Sequence, residues 1–565
     1  MYTSLLMTWL TALAWFDPRL ARLFRDAATG YDKAVVGAFI FLLNWFWLFG
    51  IYYLYLFIFT LTEKFWAPKP QLGDAPPGVV AILYLTHNDF DEDAAASCTR
   101  QDYPCRLFIL DDSTRADMMD RVDCFHRANR STTSVIRRCS RLGFKGGNIN
   151  NAVGQIDCDY FAVVDSDGVV PPNFVSSLMP YFSLDPQIAF VHGSNRPNPR
   201  QKSGFASDLA LGIVPLWTTY FGPRNHFGFV PFLGHGAILR RDVWEAVGGM
   251  PEIVSEDLAF STRAAELGFV GYFVGNVISL EDFPSTYAQL RKQQEKYVKG
   301  ACEFIDCCLW SFLRSGHVRW FEKLDVVLSC ATLFLPLFHA LFLIVFGVLL
   351  AGAIGEPHTV GLRFGATTIA QWKAHLLKES FNALWSWDFY AITLVNMFAP
   401  VLGCAQLVFS APKRLARLIL LSSVPYLSLM IVCIFGVLTY AITRRAVFTV
   451  TADRDDAHGE RSSDSNRPRL ALVDSINSGH WLVHATELVL GVALAVFCLR
   501  QLNVPLFGFS LCLLMGSVLV RSGWNTGIRL AVSFPFVLIM GGMGLLGANL
   551  FTAQGALFPL MLFHF

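Results

Sequence analysis

The chain alternates between two kinds of sequence, and this alternation limits its possible folds more than any other feature. Apolar runs of the roughly 20 residues that a helix needs to cross a membrane occur on both sides of a long central segment. Within that segment, at about residues 66–320, short apolar runs are separated by polar, turn-forming stretches. The pattern therefore predicts a water-soluble domain inserted between transmembrane helices.

The composition agrees with a membrane protein. Charged residues make up only 16% of the 565 residues, whereas a soluble domain usually has about 25%. The net charge of +1 lacks the basic excess of nucleic-acid-binding proteins, so no nucleic-acid partner is expected. The thirteen cysteines show no metal-ligand spacing, which predicts free and mostly buried thiols.

The alternation also predicts how the chain is divided. We expect five regions. The first two are one or more N-terminal membrane segments at 1–65 and the soluble domain at 66–320. The other three are membrane spans with an interfacial helix at 321–443, a cytoplasmic gating-like loop with a mobile linker at 444–479, and C-terminal spans at 480–565. The spans themselves are expected at 34–62, 326–352, 387–409, 481–499, 504–520 and 530–551. Residues 1–16 are apolar but short for a span.

Basic residues predict the orientation of the soluble domain. If that domain is cytoplasmic, spans at 326–352 and 387–409 leave Lys413, Arg414 and Arg417 inside, as the positive-inside rule prefers. The apolar segment 414–443 would then lie along the interface or re-enter, which keeps 444–479 inside. The arginines at positions 19, 22 and 25 do not fit, because they would lie outside.

The sequence pattern of the central segment is typical of an α/β fold. Apolar runs at 79–85, 105–112, 160–167 and 188–193 are separated by helix-like stretches, which is typical of a parallel sheet with helical crossovers. In such sheets, ligands bind beyond the carboxyl ends of the strands. The acidic pairs Asp111-Asp112 and Asp165-Ser166-Asp167 stand at two of these ends.

Asp165 and Asp167 are candidate metal ligands. Two carboxylates one residue apart on a turn can reach one Mg²⁺ or Mn²⁺ ion, and such ions also bind phosphate oxygens. The metal would neutralise the charge that grows on a departing nucleoside diphosphate. The alternative is an ordinary polar turn at a strand end.

Three further residues are candidates for binding a nucleotide. Asp112 can accept hydrogen bonds from a base or ribose, and Thr86, which follows the first strand, can line the same pocket. Lys145 lies in the glycine-rich segment 144–151, which opens a helix, and helix N-termini favour phosphates. Asp112 alone is weak evidence, and the glycine-rich segment also suits an ordinary capped helix.

Glu256 and Asp257 follow Ser255 at the predicted start of a helix. A positioned carboxylate there can act as a general base towards an attacking hydroxyl, although capping of the helix would use the same residues. His235 lies between two glycines, which suits a close approach to a sugar, but a lone histidine is more often structural.

The segment Gln293-x-x-Lys296-Tyr297 lies in an amphipathic helix before an apolar segment. Its cation can meet a diphosphate and its ring can stack on a sugar face. The alternative is a basic and aromatic belt at the membrane interface.

Together these motifs resemble those of the processive family 2 glycosyltransferases, which include cellulose, hyaluronan, chitin and β-glucan synthases. The family pattern of D, DxD, TED and QxxRW on a GT-A fold is matched, in order, by Asp112, Asp165-Ser166-Asp167, Ser255-Glu256-Asp257 and Gln293-x-x-Lys296-Tyr297. Ser255 replaces threonine, and Lys296-Tyr297 replaces the Arg-Trp pair. Residues 448–454 resemble the FxVTxK gating loop of cellulose synthases, which implies that Phe448 and Thr451 contact the substrate.

The resemblance implies a specific activity. It implies an inverting enzyme that polymerises a UDP-sugar, with UDP-glucose as the first candidate donor. The β-linked polysaccharide formed would be moved across the membrane. Asp257 would be the base, Mg²⁺ or Mn²⁺ would bind Asp165 and Asp167, and Tyr297 would hold the acceptor. The catalytic domain would face the cytoplasm at the plasma or inner membrane, with a lipid bilayer around the spans and any partner subunit undefined.

Three alternatives stay open on the sequence. A non-processive transferase that makes a glycolipid shares the first motifs. A hyaluronan- or chitin-type synthase would use other UDP-sugars. A transporter or scaffold with an inactive enzyme domain is opposed by the intact Asp165, Asp167 and Asp257.

Overall fold

The computed structural model describes residues 1–364, 367–377, 387–404, 411–446, 476–501 and 504–551. The chain divides into two compact units. One comprises Met1–Phe57, Phe334–Phe435 and Ile476–Phe565, and the other comprises Ile58–Leu333 and Gly436–Ser475.

The second unit is built on a seven-stranded sheet. Its strands are β1 (Val80–Thr86), β2 (Cys105–Asp111), β3 (Thr133–Ile136), β4 (Tyr160–Asp165), β5 (Ile188–Pro197), β6 (Ala237–Arg240) and β7 (Val270–Glu281). They lie in the order β3-β2-β1-β4-β6-β5-β7. The four apolar runs of the sequence are β1, β2, β4 and β5, so the predicted α/β fold is confirmed.

The four predicted strands β1, β2, β4 and β5 are parallel, as expected, but a further strand that the apolar runs did not reveal is reversed. β1, β2, β3 and β4 are mutually parallel, but β6 runs antiparallel to both β4 and β5. Ala237, the first residue of β6, pairs with Val163 near the carboxyl end of β4. The chain thus enters β6 from the carboxyl edge of the sheet, and residues 234–236 lie at the edge where ligands are expected.

Helices cover both faces of this sheet. The described helices of this unit are Glu92–Thr99, Ala116–Ala128, Phe144–Val153, Phe174–Leu178, Gly204–Leu209, Arg224–Phe227, Arg241–Val247, Glu256–Glu266, Tyr287–Phe304, Trp310–Arg314 and Trp320–Leu333. The last three share a buried cluster that contains no strand residue, with Phe304, Phe312 and Val326. β1 is buried along its whole length, and its alternate residues enter two separate cores, one with Ile82 and one with Leu83. Burial on both faces explains why this strand reads as a continuous apolar run.

The other unit is mainly helical. Its described helices include Tyr2–Asp26, Leu335–Ile344, Leu350–Ile354, Trp387–Phe398, Pro412–Leu427, Trp481–Gln501, Val504–Arg521 and Thr526–Phe551. The helices Gly30–Trp66 and Met430–Thr443 belong to this unit only up to Phe57 and Phe435. Gly355–Phe364 (β8) and Thr367–Leu377 (β9) form an antiparallel pair.

Among the described residues, three helices are long and apolar enough to cross a membrane, namely Gly30–Glu63, Pro412–Thr443 and Trp481–Arg500. A fourth candidate is the pair Trp320–Leu333 and Leu335–Leu349, whose axes bend by 63°. The chain therefore has the helices of a membrane protein. The first, third and fourth of these correspond to predicted spans at 34–62, 481–499 and 326–352.

Two predicted membrane segments differ from the helices found. The region 387–409 contains the short helix Trp387–Phe398 and a 3₁₀ turn at Ala399–Cys404, whereas Pro412–Thr443, expected at the interface, has the length and hydropathy of a span. The placement of 414–443 at the membrane interface stays a prediction, and the length of the helix favours a membrane span instead.

One of the misfitting arginines has a partner within the helical unit. Arg19 Nη2 lies 2.9 Å from Asp388 Oδ2, and the indole nitrogen of Trp15 donates to the same oxygen at 2.7 Å. The charge of Arg19 is therefore balanced by a residue from a distant part of the sequence.

The expectation of reduced thiols is confirmed, because none of the thirteen cysteines, all of which lie in described segments, is in a disulfide bond.

Candidate active site

The carboxyl edge of the sheet brings three of the predicted motifs together. Thr86 at the end of β1 pairs with Asp111, the residue before Asp112, and Leu85 pairs with Asp165. Since parallel strands end at the same edge, the nucleotide candidates and the DxD turn share one side of the sheet.

Asp165 is held by a lysine from the glycine-rich segment. Lys145 Nζ donates to Asp165 Oδ1 at 2.5 Å. Burial disfavours ionisation of Asp165, but the nearby charges, of which Lys145 contributes most, outweigh it and lower the pKa of Asp165. Lys145 is also buried, and the negative charges of Asp165, Glu256 and Asp257 outweigh that burial and raise its pKa. The ion pair therefore forms within a wider group of buried charges.

Asp167 has a different environment. Its Oδ2 accepts a hydrogen bond from the backbone N–H of Asp282 at 3.1 Å. Burial, followed by the negative charges of Asp165 and Glu281, raises the pKa of Asp167 to about 7. Negative charge at the DxD turn is thus only partly neutralised by the protein. Within the described ranges, no cluster of three or more His, Cys, Asp or Glu side chains is arranged to hold a metal ion.

Asp112 is paired with an arginine that the sequence analysis did not single out. Arg138 donates from Nε to Asp112 Oδ1 at 2.9 Å and from Nη2 to Oδ2 at 2.7 Å. The neighbouring Arg137 makes a single bond to Asp111, from Nε to Oδ2 at 2.7 Å, and its Nη2 pairs with Asp123 instead. A signal was available, because two adjacent arginines follow two adjacent aspartates across one pair of parallel strands.

Asp89, in the segment that follows the first strand and was expected to line the nucleotide pocket, joins the Thr86 loop to the DxD turn. Thr86 Oγ1 donates to Asp89 Oδ1 at 2.9 Å, and Ser166 Oγ donates to Asp89 Oδ2 at 2.7 Å. Asp89 therefore fixes the loop after β1 against the loop after β4.

Glu256 and Asp257 begin the helix Glu256–Glu266. Burial, and then the charge of Asp257, raises the pKa of Glu256 to about 8, and burial also raises the pKa of Asp257. Asp257 Oδ1 accepts from the backbone N–H of Leu258 at 2.7 Å. The helix start thus carries two carboxylates that resist ionisation, which suits proton transfer near neutral pH.

Gly234 fills the space between Lys145 and Asp257. A Cβ at this position would lie 3.2 Å from Lys145 Nζ and 3.3 Å from Asp257 Oδ2. Its φ of +85° is also a backbone conformation that favours glycine. The donor-side lysine and the predicted base therefore flank the same short stretch of backbone.

His235 is engaged by protein groups on both ring nitrogens. Its Nδ1 lies 3.2 Å from Asn195 Nδ2, and its Nε2 lies 3.4 Å from Glu281 Oε2. Asn195 Nδ2 also donates to Glu281 Oε2 at 3.0 Å. Glu281 was missed, although Glu281-Asp282 repeats the pattern of an acidic pair at a strand end. The predicted sugar contact of His235 stays a prediction.

The remaining candidates lie on the helix Tyr287–Phe304, whose N-terminus is capped by Thr286 Oγ1. Gln293 and Lys296 are half-buried, whereas Tyr297 is 44% exposed. Lys296 Nζ lies 5.6 Å from the centre of the Tyr297 ring. Burial lowers the pKa of Lys296, although Glu256, Asp165 and Asp257 oppose this. The lysine thus faces the acidic group, and the ring is free to meet a ligand.

Phe448 and Thr451, with the gating-like segment that contains them, lie outside the described residues.

One protein-family model matches a part of the sequence that includes several of these residues. Residues 160–355 match a family described as "Glycosyl transferase family group 2". This stretch of the chain is therefore similar to a family 2 glycosyltransferase domain. The match and the mixed seven-stranded sheet also confirm the predicted GT-A type of fold.

Two curated relatives are similar to part of this chain. The probable glucomannan 4-beta-mannosyltransferase 6 of Oryza sativa subsp. japonica is 26% identical over 230 residues, which cover 38% of this chain and 39% of that protein. A UDP-forming cellulose synthase of Dictyostelium discoideum is 27% identical over 205 residues, covering 34% of this chain and 18% of that protein. The matched part is therefore less than half of either relative.

Among solved structures, the mannosyltransferase PcManGT from Pyrobaculum calidifontis in complex with GDP-Man and Mn²⁺ aligns with a TM-score of 0.42 and 15% identity. The alignment covers 66% of this chain and 99% of that one.

Proposed function

We propose that this family 2 glycosyltransferase polymerises a nucleotide sugar into a β-linked polysaccharide and passes the product across a membrane. The observation that carries the proposal is the position of Gly234 between Lys145 and Asp257, with Lys145 bonded to Asp165. The groups predicted for donor binding and for acceptor activation thereby belong to one site.

The donor would occupy the carboxyl edge of the sheet. Asp112 and Thr86 would bind the nucleoside, and Lys145 the diphosphate. Asp165 and Asp167 fit a Mg²⁺ or Mn²⁺ ion, because their carboxylate oxygens suit hard cations and their negative charge is incompletely balanced. Such an ion usually binds one or two carboxylates together with substrate phosphates, and it would neutralise charge on the departing diphosphate.

The acceptor would be activated by Asp257. Its carboxylate would take the proton of an acceptor hydroxyl as the hydroxyl oxygen bonds to the anomeric carbon and the bond to the diphosphate breaks. Attack opposite the diphosphate converts an α-linked donor into a β-linkage. The exposed ring of Tyr297 would hold the terminal sugar, with Gln293, Lys296, Glu256 and His235 around it, and Phe448 and Thr451 would contribute from the gating-like loop.

The identity of the nucleotide sugar has two candidates. The resemblance favours UDP-glucose, whereas relatives include both a UDP-forming cellulose synthase and mannosyltransferases. We also propose that the catalytic region is 66–320 and faces the cytoplasm of a plasma or inner membrane, between membrane regions at 1–65, 321–443 and 480–565 and beside the loop 444–479.

The test is a donor screen with the purified full-length protein in lipid nanodiscs. Radiolabelled UDP-glucose, other UDP-sugars and GDP-mannose would be supplied with Mg²⁺ or Mn²⁺, and the products digested with linkage-specific hydrolases. We expect a polymer from UDP-glucose that a β-glucanase degrades. A β-mannanase-sensitive polymer would instead indicate a mannan synthase, a short lipid-linked product would indicate a glycolipid enzyme, and no transfer from any donor would refute the enzyme proposal.

A further inference from the structure

Arg138 uses its whole guanidinium group to connect two parts of the candidate donor site. Besides its two bonds to Asp112, it donates from Nη1 to the carbonyl of Leu142 at 2.6 Å and from Nη2 to the carbonyl of Phe144 at 2.7 Å. The side chains of Arg138 and Asp112 are only 8% and 7% exposed. The carboxylate that the sequence assigns to the nucleoside is therefore fixed by a buried arginine that makes four hydrogen bonds in all.

The carbonyls that Arg138 binds belong to the turn that presents Lys145. Gly143 and Phe144 have φ values of +72° and +49°, so this turn has an uncommon backbone conformation that needs support from outside. Lys145 follows immediately and contacts Asp165 at 2.5 Å. Arg138 thus ties the end of β2 to the residue that would meet the diphosphate.

The local packing leaves no room for a looser arrangement. A Cβ on Gly147 would lie 2.9 Å from Arg138 Nη1, so the first turn of the helix packs directly against the guanidinium. Lysine cannot replace this group, because it lacks the planar fork that bonds both carboxylate oxygens at once. Arg141 is a poorer substitute, since its Nε is 3.9 Å from Asp112 Oδ2.

We infer that Arg138 is a positioning residue for the donor, which orients Asp112 towards the nucleoside and sets Lys145 at the diphosphate. This inference rests on the proposed function. It assigns Arg138 no contact with the reacting atoms, so its removal should weaken donor binding and change the chemical step little.

The matched pair Arg138→Lys and Arg137→Lys tests this assignment. Both retain a positive charge at adjacent positions, but Arg137 pairs with Asp111 and Asp123 rather than with Asp112. For Arg138→Lys we expect the KM for the donor and the Kd for the free nucleoside diphosphate to rise roughly 10- to 100-fold, the range for loss of a charge-assisted hydrogen bond. We expect kcat to change by less than about threefold, as for the loss of interactions made equally in ground and transition states. Arg137→Lys should leave both constants near the wild-type values.

A double-mutant cycle with Asp112→Asn shows whether Arg138 acts through Asp112. Neighbours that work as a unit give non-additive effects, so Arg138→Lys should weaken donor binding much less in the Asp112→Asn background than in the wild type. If Arg138→Lys does not yield folded protein by size-exclusion chromatography, the same measurements on Arg138→Gln, which keeps a planar donor, decide the question.

Additive effects in the cycle, equal KM increases in the two arginine variants, or a fall in kcat at constant KM would each overturn the inference while leaving the proposed function intact. A wild-type protein that neither binds nucleoside diphosphates nor transfers sugar would instead refute the proposed function, and the inference with it.

Discussion

At the scale of single residues, Glu256 and Asp257 show that neighbours in one motif can have different roles. Both are buried at the start of one helix, yet Asp257 borders the stretch of backbone next to Lys145, while the pKa of Glu256 is raised to about 8. Near neutral pH, Glu256 is therefore mostly protonated, whereas a base must be ionised to accept a proton.

This difference predicts opposite outcomes for two isosteric changes. Asp257→Asn should lower transfer by about 10²- to 10⁴-fold, the usual cost of losing a general base, and leave the Kd of the donor nearly unchanged. Glu256→Gln, which resembles the protonated side chain, should retain activity within about threefold at pH 7. Donor binding by calorimetry and initial rates of transfer measure both effects. Collapse of donor affinity in Asp257→Asn would move Asp257 out of the base role.

The raised pKa of Glu256 also predicts how stability depends on pH. An unfolded chain ionises Glu256 near its ordinary pKa of 4.5, but the folded protein holds the proton up to about pH 8. Between these pH values the folded state binds more protons, so this residue's contribution to stability is full below about pH 4.5 and is lost as the pH rises to about 8. Glu256→Gln should therefore show a smaller loss of thermal stability from pH 5 to pH 8 than the wild type. Equal losses in the two proteins would contradict the assigned pKa.

The DxD turn gives a prediction about metal dependence. Asp165→Asn or Asp167→Asn should remove most turnover, because the diphosphate would lose the cation that balances it. The control is Asp120→Asn, an exposed aspartate in the second turn of the helix Ala116–Ala128, which should behave like the wild type. Near-normal polymer synthesis in EDTA would contradict the metal assignment.

The acidic residues of the site were predictable from the sequence, but most of their partners were not. Asp112, Asp165 and Asp257 stand directly after strands or at a helix start, where short-range patterns identify them. The bonds from Arg138 to Asp112 and from Asn195 to Glu281 join residues 26 and 86 positions apart. Such contacts depend on how the strands are ordered, which a local pattern does not contain.

At the scale of elements, β6 shows the same limit. With four residues, Ala237–Arg240, it is too short to give a clear period, and its reversed direction depends on the path of the chain after β5. That direction, however, places the Gly234-His235-Gly236 segment at the carboxyl edge. The sequence thus predicted the parallel strands β1, β2, β4 and β5, but not the reversed strand that brings this segment to the edge.

On the helix Tyr287–Phe304, substitutions at the adjacent residues Lys296 and Tyr297 should impair different steps of the reaction. Tyr297 is 44% exposed, so Tyr297→Ala should cost little stability but shorten the products or stop elongation, while Tyr297→Trp should be tolerated. Lys296→Ala should instead raise the donor KM, because Lys296 faces the acidic group. The exposed Lys292 on the same helix provides the control Lys292→Ala. Product length and donor KM separate these effects, and unchanged product length in Tyr297→Ala would favour a membrane-interface role for this segment.

At the scale of the whole molecule, two different assignments of the membrane spans predict the same side of the membrane for the loop 444–479. Either 387–409 returns across the membrane and 414–443 stays at the interface, or the short helix Trp387–Phe398 does not cross and Pro412–Thr443 does. Both assignments, with the bent pair as one span, keep the loop on the side of the catalytic domain. Composition thus predicted that the chain has membrane helices. The assignment in which Pro412–Thr443 crosses the membrane and Trp387–Phe398 does not depends on the helix lengths in the structure.

An epitope tag after Glu460 should therefore be accessible only from the cytoplasmic side. A second tag beside Lys413 distinguishes the two assignments, and the positive-inside rule predicts that it is also cytoplasmic. An external tag after Glu460 would refute both assignments of the spans and the gating-loop assignment with them.

The ion pair between Arg19 and Asp388 has a consequence for the order of events during synthesis. The two residues are 369 positions apart, and at about 5–20 residues per second the ribosome needs roughly 20 to 70 seconds to pass from one to the other. For that time the N-terminal helix exists without the carboxylate that balances its arginine. Reporter fusions truncated before residue 388 should therefore place the N-terminus differently from the full-length protein, and Asp388→Asn should reproduce the behaviour of the truncated forms.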